Sequence, residues 1–148
     1  MCRIGLYNTC HNLAAMGIPL GGPIIPGGFA EFTTAHKNRV YPLSDGITLE
    51  DGASIETLAV GVRAVNRSDH NLGDDVAVMG CGIVGLDVIQ VLRAGGCGEL
   101  YAAVRYPFQA EMARKLGADE VVIIEDGSDP EAEILKLRGG KGLDRVFE

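Results

Sequence analysis

The stretch VAVMGCGIVG, residues 76–85, decides how this 148-residue chain folds. Its apolar start predicts a buried strand, and Gly80, Gly82 and Gly85 follow with the G-x-G-x-x-G spacing of a strand–turn–helix nucleotide site. The first glycine of such a turn permits a tight bend, the second lets a pyrophosphate approach the backbone, and the third lets the helix pack on the strand. A turn whose glycines are purely structural is the alternative. The residues expected to line the site are Gly80, Gly82, Ile83, Val84 and Gly85.

Strand-like and helix-like segments alternate after this turn. Apolar runs predict strands at 76–79, 100–104, 121–124 and 143–147, and helical spacing predicts helices over 83–92, 109–116 and 130–137. Strands that alternate with helices form parallel sheets covered on both faces. The predicted fold class is therefore α/β, with the first half of a doubly wound parallel sheet in residues 71–148.

The chain before residue 71 has two different parts. Residues 48–70 are predicted to form a connecting helix, because apolar side chains recur three and four positions apart. Residues 1–47 are rich in glycine and proline, and short strands are expected at 29–32 and 39–43. This first segment cannot bury a core alone, so it is interpreted as the edge of a larger β-rich domain.

Composition excludes several classes of protein. The formal net charge is −7, and residues 71–148 hold 14 acidic against 8 basic side chains. Such a surface repels polyanions, so we expect no nucleic-acid or anionic-membrane partner. The longest apolar stretch, 76–86, is too short to span a bilayer. The four cysteines form no dense disulfide pattern, which favours a reducing, cytoplasmic location.

The end of the second predicted strand should select the cofactor. In a dinucleotide site, an acidic residue about 20 positions after the glycines holds the adenosine ribose 2′-hydroxyl. Val104 stands there and Arg105 follows, and a guanidinium can pair with a 2′-phosphate. The sequence therefore favours NADP over NAD, and a merely solvated Arg105 is the alternative.

Six landmarks in order resemble the zinc-dependent medium-chain alcohol and polyol dehydrogenases, in particular the threonine and sorbitol dehydrogenase-like branches. They are CRIGLYNTC at 2–10, GGFAEF at 27–32, YPLSDG at 41–46, IETLAV at 55–60, GCGIVG at 80–85 and ARKLGAD at 113–119. Ser44 and Thr57 stand where the family usually has proline. The resemblance implies an internal fragment in which 1–47 is part of a GroES-like catalytic domain and 71–148 part of an NAD(P)-binding Rossmann domain.

The same resemblance implies a role for zinc. Cys2 and Cys10 would be the last two of four cysteines that hold a structural zinc, and Glu56 would approach or bind a catalytic zinc. A carboxylate on an apolar helical stripe would agree with metal binding, and pairing with Arg63 or Arg67 is the alternative. The remaining ligands would lie upstream, so we expect these 148 residues alone to oxidise no alcohol.

The predicted activity is hydride transfer between an alcohol or polyol and NAD(P), by a protein that forms homo-oligomers when full length. Three other interpretations stay open. They are a non-catalytic nucleotide-binding module derived from the same fold, a methyltransferase with a similar glycine turn, and a zinc-free quinone reductase. The cysteine pair favours the zinc enzyme over the last two.

Overall fold

The structure is a computed structural model, and it describes residues 9–18 and 20–148. The chain divides into two compact units, Met1–Gly46 and Ile47–Glu148. Cys2, one of the predicted zinc ligands, lies outside the described residues.

The first unit has little regular structure in its described part. Isolated bridges join Ala15 to Ile18 and Met16 to Ile25, and a short 3-10 helix spans Lys37–Arg39. Whether this unit is the edge of a GroES-like domain stays a prediction.

The two strands expected in the first unit are not formed, and this expectation was wrong. Residues 29–32 and 39–43 adopt bends, the end of the short 3-10 helix and irregular backbone. A strand needs a neighbour for its N–H and C=O groups, and no described residue forms a ladder with either segment. Phe29 and Phe32 are accordingly exposed rather than packed.

The second unit has an α/β fold with a parallel sheet, as the sequence predicts. Its helices are α1 Leu49–Arg67, α2 Ile83–Ala94, α3 Pro107–Leu116 and α4 Pro130–Leu137, and its strands are β1 Val76–Met79, β2 Leu100–Val104, β3 Glu120–Ile123 and β4 Arg145–Phe147. All pairs are parallel and the order is β3-β2-β1-β4. This is half of a doubly wound sheet, in which the strand order reverses direction beside β1.

The two central strands of the sheet, β1 and β2, are buried on both faces. Leu100, Ala102 and Val104 of β2 face one apolar cluster that includes α2 and α3, whereas Tyr101 and Ala103 face a second cluster that includes α4. All five residues are at most 5% exposed. Helices on both sides explain why the sequences of β1 and β2 are apolar throughout rather than alternating.

Helix α1 packs against α2 within the same compact unit as the sheet. It begins with a capping box, in which Thr48 Oγ1 accepts from the Asp51 N–H at 3.0 Å. The two helices approach closely at Gly61, where an added Cβ would lie 3.2 Å from the backbone of Asp87. In the part of the chain that the structure describes, no helix has the length and apolar character needed to cross a bilayer.

Candidate nucleotide site

The glycine turn joins β1 to α2 at the carboxyl edge of the sheet. Gly80 has a φ of +88°, and its N–H donates to the carbonyl of Ala103 on β2 at 2.9 Å. Gly82 is the N-cap of α2, and no side chain caps it. The first N–H groups of the helix therefore have no side-chain acceptor, which suits the binding of an anion.

The second and third glycines of the motif meet different surroundings. A Cβ at Gly85 would overlap the carbonyl oxygen of Gly80, whereas a Cβ at Gly82 would meet nothing within 4 Å. Gly85 therefore serves the close packing of helix on strand, and Gly82 leaves an open backbone surface above the helix end. This division matches what a pyrophosphate cradle needs from its glycines.

A cleft of about 500 Å³ opens beside the turn. Its walls come from α1, the end of β1, the glycine turn, the start of α2 and the end of β4. The lining residues that matter below are Val60, Ala64, Met79, Gly82, Ile83 and Phe147. The cleft is mainly apolar, with free N–H groups at one end, as expected of a site for a nucleotide.

Cys81 is the one cysteine inside the turn, and its side chain is buried. Burial raises the pKa of the Cys81 thiol to about 11, because the thiolate would lose its hydration. The thiol therefore stays protonated near neutral pH, which agrees with a packing role.

Glu56 lies on the exposed surface of α1, one helical turn before Val60, which lines the cleft. Its carboxylate has no hydrogen bond or ion pair with Arg63, Arg67 or any other described residue. Because the side chain is exposed, burial gives no argument for metal binding here. Glu56 lies near the cleft, and its role at a catalytic zinc stays a hypothesis.

The described residues do not assemble a zinc site by themselves. Cys10 is half-buried, and no group of three or more His, Cys, Asp or Glu residues that could hold a metal occurs within 9–18 and 20–148. Any zinc bound through Cys10 or Glu56 therefore needs ligands from outside the described part of the chain.

At the end of β2, the structure differs from the expectation that Val104 lies beside the cofactor. Val104 is fully buried in the apolar cluster under α3, so its side chain cannot face a ribose. Arg105 is the first exposed residue after the strand. Its side chain is 71% exposed, and Nη2 lies 3.5 Å from Oδ1 of Asp126.

Two residues near Arg105 were missed by sequence reasoning. Gln109 Oε1 accepts from the backbone N–H groups of Arg105 and Tyr106, each at 3.1 Å, and so fixes the turn into α3. A glutamine at the third helical position is a capping signal that could have been found in the sequence. Asp126 follows β3, and only the β2–β3 register brings it to Arg105.

Comparison with known proteins agrees with this architecture. The family model described as "Zinc-binding dehydrogenase" matches residues 84–148. The (R,R)-butanediol dehydrogenase of Bacillus subtilis is 38% identical over 147 residues, which are 97% of this chain and 40% of that protein. The chain belongs to the zinc-dependent medium-chain dehydrogenase family. The sorbitol dehydrogenase of Bacillus subtilis, another member, is 29% identical and is matched over 99% of this chain and 40% of its own length.

Solved structures of medium-chain dehydrogenases share the fold. The butanediol dehydrogenase structure from Bacillus subtilis has a TM-score of 0.75 at 37% identity, over 88% of this chain and 37% of that one. A zinc-binding dehydrogenase from Sinorhizobium meliloti 1021, bound to NADP, has a TM-score of 0.74 at 30% identity, over 82% and 34%. The chain spans about 40% of the length of the curated relatives it matches.

Proposed function

We propose that this chain supplies the dinucleotide-binding surface of a zinc-dependent dehydrogenase that moves hydride between an alcohol or polyol and NAD(P). The observation that supports this most directly is the turn itself, which is packed shut at Gly85 and open at Gly82 above an uncapped helix end. Relatives named butanediol, sorbitol and L-threonine 3-dehydrogenase support the alcohol or polyol substrate.

The residues of this chain have distinct tasks in that proposal. The N–H groups at the start of α2 hold the pyrophosphate, and the apolar walls of the cleft, including Val60 and Phe147, keep water from the bound dinucleotide. Nicotinamide, when bound, supplies the hydride acceptor, and the protein orients it. In the same proposal, Glu56 approaches or binds the catalytic zinc and Cys10 is a ligand of the structural zinc. A homo-oligomeric, cytoplasmic protein is part of the same proposal.

Arg105 is expected to favour NADP over NAD. Arg105→Ala should lower NADP affinity about tenfold, the lower end of a charge-assisted contact because the side chain is exposed, and should leave NAD affinity unchanged. Calorimetric titration of the purified protein with both dinucleotides measures this. Arg114→Ala, which removes an exposed arginine from the last turn of α3, is the matched control and should change neither affinity.

Other results of that titration would contradict specific parts of the proposal. Absence of binding to either dinucleotide would overturn the proposed function, whereas a wild-type preference for NAD would overturn only the role of Arg105. Val104→Asp, which the sequence alone suggests as a test, would place a carboxylate in the core and would report on folding instead.

Cys10 is expected to contribute to bound zinc. In the full-length protein, Cys10→Ser should lower the zinc content, because a serine hydroxyl does not replace a thiolate ligand. Cys97→Ala, which removes a buried thiol before β2, is the control and should retain the metal. Elemental analysis after gel filtration gives the metal-to-protein ratio. Equal zinc in wild type and Cys10→Ser would remove Cys10 from the ligand set.

A further inference from the structure

The carboxyl edge of β2 and β3 holds an acidic side chain that faces the proposed cofactor-selecting arginine. The two strands are parallel, and Val104 pairs with Ile123. Their following loops therefore leave the sheet side by side, on the same edge as the glycine turn after β1. Arg105 comes from the first loop and Asp126 from the second, with Nη2 and Oδ1 3.5 Å apart.

Both ends of this pair are positioned by hydrogen bonds from neighbouring residues. Gln109 fixes the backbone at Arg105, as described above. In the other loop, Ser128 Oγ accepts from the Glu125 N–H at 3.0 Å and donates to the Glu125 carbonyl at 2.8 Å. The loop that presents Asp126 is thus closed on itself by a serine turn. The backbone at both ends of the contact is thus held in place, and the two side chains that extend from it are exposed.

We propose that Asp126 is a second specificity residue, which opposes the selection of NADP by Arg105. This rests on the proposed function, since it concerns the same dinucleotide site. The acid that an NAD-selecting site places at the end of β2 is missing from that strand. The loop that follows the adjacent strand, β3, instead brings the carboxylate of Asp126 close to the same place. Asp126 pairs with the guanidinium that a 2′-phosphate would need, and its own charge repels that phosphate.

The magnitude follows from exposure. Arg105 and Asp126 are 71% and fully exposed, so the pair is screened by solvent and worth little in stability. The effect of Asp126 on NADP affinity should be similarly small. Its carboxylate competes with the 2′-phosphate for one guanidinium and repels that one dianionic group. Wild-type discrimination between NADP and NAD is therefore modest, and removing the carboxylate enlarges it.

The test is Asp126→Asn in the purified protein. NADP affinity should rise about two- to fivefold, the scale of an exposed charge pair, while NAD affinity stays constant. Glu125→Gln is the matched control, because it removes the same charge from the neighbouring position of the loop without a side-chain contact to Arg105. Calorimetric dissociation constants for both dinucleotides, at low and physiological salt, give the ratio.

A double mutant completes the test. In an Arg105→Ala background, Asp126→Asn should increase NADP affinity by less than in the wild type, since the pair it disrupts is already gone. An unchanged NADP-to-NAD ratio in Asp126→Asn, or an equal rise in Glu125→Gln, overturns the role of Asp126 and leaves the proposed function standing. Loss of binding to both dinucleotides in the wild type overturns both.

Discussion

Gly85→Ala is expected to lower the free energy of unfolding by about 3 kcal/mol and to abolish dinucleotide binding. The added methyl would overlap the carbonyl oxygen of Gly80, which is backbone and cannot rotate away. Relief of that overlap requires α2 to move off β1, and this displaces the helix end on which the proposed phosphate site depends. Urea unfolding of the purified protein and titration with NADP measure the two losses.

Gly82→Ala is the matched control variant. It adds the same methyl group at the second glycine of the turn, where the methyl would enter open space. Gly82 has a φ of −70°, which alanine adopts without strain. The free energy of unfolding should change by no more than about 0.5 kcal/mol. Dinucleotide affinity should nevertheless fall about tenfold or more, because the methyl stands where a phosphate approaches the backbone.

The two variants separate folding from binding. Normal NADP affinity in Gly82→Ala would mean that the turn is structural and that the nucleotide site lies elsewhere. A fully stable Gly85→Ala would mean that α2 and β1 are less closely packed than the structure shows.

Elements buried on two faces were predictable from the sequence. The predicted bounds of β1 and β2 are those observed, since their apolar runs end where burial ends. The bounds of α4 also match, because Asp129 accepts from the first N–H groups and Pro130 stands at the first helical position. Helix α3 begins two residues earlier than expected, at Pro107, which is a start signal of the same kind.

The first unit was less predictable because strand formation depends on a partner. Residues 29–32 have strand-like composition, but nothing in a local sequence says whether another segment lies alongside. Among the described residues none does, and the phenylalanines stay exposed.

The candidate site shows a similar limit at the end of β2. Spacing along the chain correctly placed Val104 at the end of the strand. Alternation within the strand then puts its side chain on the same face as Leu100 and Ala102, inside the core. The approach of Asp126 to Arg105 depends on register between two strands, which no single-strand pattern contains.

The second large effect on stability is expected from a substitution of Arg138, which lies at the edge of the sheet opposite the nucleotide turn. Its side chain is 5% exposed, and its guanidinium donates to Asp75 at 2.7 Å and to Glu99 at 2.9 Å. The same group lies 5.2 Å from the centre of the Tyr101 ring. Arg138 thereby ties the segment after α4 to the starts of β1 and β2.

The hydrogen bond from Arg138 holds the pKa of Asp75 below its usual value, with a further contribution from the Glu99 N–H. A carboxylate whose pKa is lowered by folding stabilises the protein above its unfolded pKa, near 4. That contribution is lost as the pH falls through the lower, folded value. The stabilisation by this pair should therefore be complete at pH 6–7 and decline below about pH 4.

Arg138→Met is expected to cost about 2 kcal/mol at pH 7, less than for a fully buried pair, because the carboxylates of Asp75 and Glu99 are 30% and 62% exposed and can regain water. Urea unfolding at several pH values between 3 and 7 should show the gap from wild type narrowing as the pH falls. Arg138→Lys keeps the charge but has no planar guanidinium that can reach both carboxylates. Its free energy of unfolding should therefore lie between those of the wild type and Arg138→Met. A gap that stays constant down to pH 3 would show that Arg138 stabilises the fold by packing on Tyr101 rather than through its ionised partners, since only the latter titrate in that range.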